Sequence, residues 1–416
     1  MQGLQASLRI EEFRALLVSY VINRAGDFVG SIALAVIVLA TTGSALATAV
    51  LFLATQFLPG VLGPAVVARI EHVAPGRALP LMYVVEGALF VALAALVHHV
   101  GIAVLIALAF VDAMIAFAAR TITRSAVAST LVPHDLLPEG KAAFNVALAV
   151  SMVAGPVIAG LAVALVGPGS ALAIDGGSFF VAAVLIGRAS KLRATAEVRA
   201  GGGKSRLREG LRYIAGKPAL RTLILGEGAA FVFFYLVVPV TVVYATRSLH
   251  AGSGGYAAML TTWGIGVAIG SAVQVRLARR AGATMILIST GAVAAGYLGT
   301  AIAPTLVLAC CASVIGGVGN GTQWASVETT MHRLVDEAFR ARTTALLESF
   351  AAIAPGAGIV LGGALTALLS PRAAYFAAGA GLVVLILAAR LRRLTIAMPV
   401  EPAPSGARTP AAAPTP

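Results

Sequence analysis

The sequence predicts an all-α membrane protein, with twelve transmembrane helices in two pseudo-symmetric six-helix bundles around a central cavity. Three observations predict it. The chain is 59% hydrophobic and only 11% charged, with a mean hydropathy of +0.93. A soluble domain carries about 25% charged residues, so lipid must solvate part of this apolar surface. Six long apolar stretches precede a basic linker and six follow it. Acidic residues sit inside several of these stretches: Asp27, Glu86, Asp112, Asp175, Glu227 and Glu348. A carboxyl group in the bilayer interior is costly and marks a functional or structural need.

The elements follow in order. A short polar N-terminus lacks a cleavable signal pattern, so the first stretch, 13–40, is expected to be retained; it carries Asp27. The second covers 45–67. The third, 78–97, carries Glu86, and the fourth, 101–119, carries Asp112. The fifth and sixth cover 142–166 and 170–187, the latter with Asp175. The second half reads 220–243 with Glu227, then 254–275, 283–303, 305–327, 343–369 with Glu348, and 372–390. Each is near the ~20 residues a helix needs to cross the hydrocarbon core. Helices satisfy their own backbone groups, which lipid cannot do. The expected organisation is a bundle over 1–187, a basic linker over 188–217, a second bundle over 218–393 and a disordered Pro/Ala-rich tail over 394–416.

Basic residues fix the orientation. One set of loops holds Arg69, Arg77, Arg120, Arg124, Lys141, the linker cluster, Arg276, Arg279, Arg280, Arg333, Arg340, Arg342 and Arg390. The opposite set holds Arg247, Arg372 and little else. The positive-inside rule places the rich set, and both termini, in the cytoplasm. This distribution also explains the net charge of +13 without nucleic acid, because the cations lie between apolar spans and not on one arm. Within the linker, Ser205 to Ala215 reads either as an amphipathic helix on the inner leaflet or as a solvated loop. Cys310 and Cys311 are adjacent in an apolar run and read as small packing residues.

The halves resemble each other. Leu131-Val132 precedes Asn145 at the spacing by which Leu334-Val335 precedes Glu348. Gly155-Pro156 in the fifth span has a counterpart in Pro355-Gly356 of the eleventh. Two halves related by an axis along the membrane normal form a transporter architecture.

Several motifs carry a resemblance to a known family. Asn23-Arg24-Ala25-Gly26-Asp27 is similar to a Gly-Asp signature, and Thr42-Gly43-Ser44-Ala45 fits the turn after it. Gly155-Pro156-Val157-Ile158-Ala159-Gly160 resembles an antiporter motif, Gly-Pro-x-x-Gly-Gly, with Ala159 in place of one glycine. Leu207 to Tyr213 and Asp336 to Arg342 add to the match. Over residues 8–393 the chain resembles the major facilitator superfamily, in its bacterial efflux-type branch. The resemblance implies the major facilitator fold in a bacterial inner membrane, and export of a small molecule driven by protons, with no cofactor. The chain departs from the family between spans two and three. An Asp-Arg followed by Gly-Arg-Arg is usual there, whereas this chain reads Ala68-Arg69 and Gly76-Arg77. Ala278-Arg279-Arg280 in the second half lacks the Asp as well, which puts the usual cytoplasmic latch in question; Glu71 is a possible substitute.

The candidate site residues follow from spacing. Tyr20, Asn23, Asp27 and Ser31 recur at three- and four-residue intervals, hence on one helix face, and are expected to face a water-filled cavity or another helix. Asp27 reads as a proton carrier or cation ligand, or alternatively as the structural partner of Arg24. Glu227 is followed by Phe231, Phe234 and Tyr235, an aromatic wall with one carboxylate that suits a lipophilic cation; the plain alternative is packing against lipid. Asp112 and Arg120 share span four, where Arg120 reads as an anion ligand or as an anchor, and Arg124 as an anchor. Glu348 is a gating candidate through Arg342 or a linker base, while Glu86 and Asp175 read as helix-packing groups at the periphery. Gly155, Pro156 and Gly160 are expected to shape a moving interface. Arg69, Arg77, Arg279, Arg340 and Arg342 are expected to act in gating.

No Gly-x-x-x-x-Gly-Lys-Ser/Thr loop is present, which argues against nucleotide-driven pumping. The histidines have no metal-ligand spacing. The sequence reads as a secondary transporter acting as a monomer, with lipid, protons and a small molecule as its partners. An importer or a lipid flippase, and, from another class, a membrane sensor or a membrane-embedded enzyme, remain alternatives.

Overall fold

The computed structural model describes residues 2–70, 73–97, 99–189, 212–277, 282–335 and 340–391, with the side chains of 2–4, 149, 152, 275–277, 332, 340–352 and 391 left undescribed. The centre of the linker, Glu71, Arg279, the 336–339 loop and the Pro/Ala-rich tail lie outside the described residues, as do the side chains of Arg340, Arg342 and Glu348.

A short amphipathic helix, Gln2–Arg9, precedes the membrane helices. These are α1 (Glu11–Thr42), α2 (Ala45–Ile70), α3 (Pro75–Leu96), α4 (Ile102–Leu131), α5 (Leu137–Val166) and α6 (Pro168–Arg188). The second half has α7 (Pro218–Ser248), α8 (Gly252–Leu277), α9 (Ala283–Ile302), α10 (Leu306–Leu334), α11 (Arg340–Leu368) and α12 (Pro371–Leu391). Eleven of these are long and apolar enough to cross a membrane; α11 has a shorter apolar part, Ile353–Leu368. No strand occurs among the described residues.

Local chemistry ends the helices where the sequence places turns. Gly43 adopts φ 59°, a left-handed cap that only glycine takes without strain, and its amide donates to the Leu39 carbonyl. Ser44 then caps α2 by accepting from the Ala47 amide at 3.2 Å. Proline opens α3, α6, α7 and α12 within the first two positions or at the first residue.

Helices α1–α6 pack as one bundle, chiefly through α3 on α6 and α1 on α5 and α6. Helices α7–α12 pack as a second, through α8 on α10, α9 on α10 and α12, and α7 on α11. Lipid supplies no hydrophobic drive between helices, so close backbone approach supplies dispersion contact instead. A Cβ on Gly87 would stand 2.9 Å from the Gly176 carbonyl, where α3 crosses α6. A Cβ on Gly266 would stand 2.9 Å from the Cα of Gly317, where α8 crosses α10. Gly317→Leu should therefore cost at least the ~1–3 kcal/mol of overpacking, read as a lower thermal unfolding midpoint in detergent. An unchanged midpoint would mean that α8 and α10 are not this close.

The bundles meet through α5 on α8 and α2 on α11. These contacts concentrate on the face opposite the arginine-rich loops. Gly160 of α5 abuts Ala257 of α8 so closely that a Cβ would collide with it, and a Cβ on Gly363 of α11 would stand 2.5 Å from that of Ala49 in α2. The spacing that separates Leu131 from Leu334 also separates Gly160 from Gly363. The Arg247 guanidinium at the end of α7 donates to the Gly43 carbonyl of the other bundle. The bundles are thus closed on this face.

Candidate functional site

A cavity of about 1080 Å³ lies between the bundles and reaches Val67, Ala68 and Arg124 at the arginine-rich ends of α2 and α4. Its lining is chemically divided. The first bundle contributes Arg24, Asp27, Asp112, Arg120 and Arg124, whereas the second contributes Tyr235, Trp324 and Pro355.

Asp27 is the hub of the charged wall. Its Oδ2 accepts from the Arg24 guanidinium at 2.7 Å and from the Arg120 guanidinium at 3.2 Å. The Arg24 contact stays within one turn of α1, while the Arg120 contact ties α1 to α4. The Asp27 side chain is 21% exposed, so water in the cavity reaches the pair. Two guanidiniums sharing one carboxylate leave a net cation, whose field Asp112 on the same wall opposes.

Behind this wall the structure collects carboxyls that the sequence reading kept apart. Glu86 of α3 and Asp175 of α6 are fully buried, and both interact electrostatically with Asp27. Glu86 also lies within reach of Asp112 and Arg120. Asp175 packs under Gly26 and Gly30 of α1, and its Oδ1 accepts from Ser178 at 3.2 Å. Both Glu86 oxygens, Asp175 Oδ2 and Asp112 Oδ1 have no hydrogen-bond partner among the described residues. Buried polar atoms are normally paired, so four such oxygens in one neighbourhood are unusual. Glu86 and Asp175 thus pack among the helices behind the charged wall, within electrostatic reach of Asp27 but not on the cavity lining. The signal available in the sequence was the pair of glycines at 26 and 30, which open α1 toward α6.

The polar stripe of α1 divides between the two places expected for it, and one further expectation needs correction. The cavity-facing stripe of α1 is Arg24, Asp27, Phe28, Ser31 and Leu34. Tyr20 instead packs on Phe144 of α5 with ring centroids 4.7 Å apart, and Asn23 is 2% exposed. The expected stripe thus splits, with Asp27 and Ser31 on the cavity and Tyr20 against α5, because α5 covers that edge. Glu227 does not share the cavity with Asp27. It is 4% exposed, and its Oε2 accepts from Gln323 Nε2 of α10 at 3.0 Å. The aromatic wall survives without its carboxylate: Tyr235 and Trp324 reach the cavity, and Phe231 packs on both. The spacing that relates Leu131 to Leu334 relates Arg24 to Glu227 and Arg120 to Gln323, so the two polar pairs occupy equivalent places in the two bundles.

The remaining candidates fall into three places. Gly155 and Pro156 are buried in α5, and a Cβ on Gly155 would collide with the Phe28 ring; Gly160 lies on the bundle interface. Arg69 and Arg77 are exposed near the arginine-rich face, in the last turn of α2 and the first of α3. Cys310 and Cys311 are free thiols.

The sequence model of transmembrane secretion effectors matches residues 3–410. The chain belongs to the transmembrane secretion effector family. This family is part of the major facilitator superfamily, and the solved structures similar to this one are transporters of that fold. A bacterial homologue of the human lysosomal transporter Spinster, inward-facing and unoccupied, is 14% identical with a TM-score of 0.65, covering 94% of this chain and 99% of its own. The nucleoside transporter NupG is 11% identical with a TM-score of 0.68, covering 91% and 98%. The peptide transporter POT in complex with sulfate is 14% identical with a TM-score of 0.70, covering 92% and 96%. No curated protein sequence matches the chain. This transmembrane secretion effector is thus a multi-pass membrane transporter of the secondary type.

Proposed function

We propose that this secretion effector exports small lipophilic or amphiphilic molecules from the bacterial cytoplasm against inward proton flow, as a monomer in the inner membrane. The observation that supports this reading most is the cavity itself. It opens toward the face that the positive-inside rule assigns to the cytoplasm, and the bundles are closed on the other face. A substrate enters between a charged wall and an aromatic one, and rocking of the bundles carries it across.

Asp27 supplies the coupling. As an anion it holds Arg24 and Arg120 and offers its remaining oxygen to a donor on the substrate. As an acid it loses the charge that binds both guanidiniums, and one of its oxygens becomes a donor, so proton and substrate compete for one carboxyl. Competition at a single site is the simplest basis for exchange. The buried carboxyls Glu86, Asp112 and Asp175 lie within electrostatic reach and hand protons to it.

The test is transport by purified chain in liposomes under an imposed pH gradient, with a fluorescent lipophilic cation and a fluorescent naphthalene sulfonate as probes. Movement of either probe opposite to the protons, stopped by a protonophore, is expected. Movement in the same direction as the protons supports an importer instead. Movement of neither probe would overturn lipophilic and amphiphilic molecules as the substrate class.

A further inference from the structure

Beyond the charged cavity, toward the closed face, lies a second pocket of about 230 Å³. The two share Phe28, Ser31, Phe52 and Gln56, so the small pocket opens off the inner end of the large one. Its remaining walls come from the second bundle, through α7, α8, α9, α10 and α12. Resting on the export reading above, we propose that this pocket is a distinct substrate subsite, which takes an uncharged, ring-bearing, hydrogen-bonding part of the transported molecule.

Four observations converge. The lining contains no Asp, Glu, Lys, Arg or His, so no charged group is compensated there. It is an aromatic box: Trp263 stacks on Tyr297 with centroids 5.5 Å apart and planes 11° apart, and Tyr375 meets Tyr297 edge-on at 6.0 Å. Flat rings enclosed this way prefer a ring as their next neighbour. The Thr241 hydroxyl and the Tyr375 hydroxyl bond each other at 2.9 Å, and Thr300 donates to the Gly296 carbonyl at 2.9 Å. Tyr256 and Tyr297, 3% and 2% exposed, also line the pocket, and neither hydroxyl shares in these bonds. Two phenol hydroxyls on the wall of a box this apolar can each donate to, or accept from, a polar atom of a ligand. Finally, whole-ligand pockets run from about 300 Å³ upward, so the size suits one portion of a molecule whose remainder lies in the charged cavity.

The position also bears on release. Phe28 and Phe52 belong to one bundle and Tyr256, Trp263, Tyr297 and Tyr375 to the other. Opening the closed face pulls these walls apart, so the subsite exists only in the state that loads from the arginine-rich face. Its ligand is freed on the far side without a separate ejection step.

The chain's two tryptophans report on the two sites, Trp263 in the small pocket and Trp324 in the large one. The full-length chain in lipid nanodiscs, carrying Trp324→Phe, is titrated with bromonaphthol, whose bromine quenches nearby indole. Quenching of Trp263 should saturate. Tyr297→Phe and Tyr256→Phe keep the rings and remove one hydroxyl each, and each should raise the apparent Kd about 5- to 10-fold, the worth of one buried hydrogen bond. Bromonaphthalene, lacking the hydroxyl, should bind the parent and both variants within about twofold. Quenching that never saturates, equal bromonaphthol affinity in parent and variants, or saturation seen only by Trp324 in a Trp263→Phe chain would overturn the subsite. The titration needs no gradient, so a chain that exports but fails it loses only this inference, and one that passes but does not export loses only the export reading.

Discussion

Asp27→Asn is expected to cut the accumulation ratio about 40-fold for each proton no longer moved, at a membrane potential of 100 mV. One charge crossing that potential is worth about 2.3 kcal/mol, and 1.4 kcal/mol is a factor of about ten. Asparagine keeps the shape of aspartate and can still accept from Arg24 and Arg120, so the 2.7 Å and 3.2 Å contacts lose charge but not geometry. What asparagine cannot do is exchange a proton. The loss should therefore appear in gradient-driven accumulation, with the probe still equilibrating down its own gradient. Glu227→Gln is the contrasting variant. Glu227 is walled off from the cavity by its bond to Gln323, and its replacement should leave the accumulation ratio within about twofold. Equal accumulation by Asp27→Asn and parent liposomes would end the proposal that Asp27 couples transport. A large loss with Glu227→Gln would move coupling to the second bundle.

The helices were legible because each span is a contiguous apolar run, and lipid imposes the same rule on every turn. The linker and the repeat pointed to two halves, and the helix contacts group α1–α6 and α7–α12. The charged site was legible only in part. Asp27, Asp112 and Arg120 announced themselves as charges in apolar runs, and the structure joins them. Which neighbour a carboxyl meets is set by helix rotation and crossing, and the sequence gives neither directly. Glu86 and Asp175 read as peripheral because their helices lie outside the central layer; the Gly87–Gly176 crossing and the glycines under Asp175 draw both toward α1. Glu227 erred the other way. Its position early in α7 resembled that of Asp27 in α1, but its equivalent in the repeat is Arg24, and α10 supplies Gln323 to cover it. The second pocket was invisible for the same reason: Tyr256, Trp263, Tyr297 and Tyr375 lie on three helices far apart in sequence.

Gly160→Leu is expected to shift the chain away from the state described here without unfolding it. Gly160 touches Ala257 across the bundle interface, whereas Gly155, five residues earlier on α5, touches Phe28 within its own bundle. A side chain at Gly155 meets only the Phe28 ring of its own bundle, so its cost does not fall on the contact between α5 and α8. A side chain at Gly160 is relieved by rocking the bundles apart on the closed face, so its cost falls on the conformational equilibrium. Overpacking of about 1–3 kcal/mol corresponds to roughly a 5- to 140-fold change in that equilibrium. Thr121 lines the cavity near its open end and is exposed, so a cysteine there reports the open face. With Cys310 and Cys311 first replaced by alanine, Thr121→Cys should react readily with a membrane-impermeant maleimide from the arginine-rich side. Adding Gly160→Leu should slow that reaction by a factor within the same range. Gly363→Leu, at the equivalent contact of α11 with Ala49 of α2, should act likewise. Gly177→Leu is the control, because nothing lies within 4 Å of a Cβ placed there. If Gly160→Leu labels as fast as Gly177→Leu, with an unfolding midpoint unchanged from the parent, then α5 and α8 do not form the gate and the closed face must be held elsewhere, with the Arg247 contact to Gly43 the next place to cut.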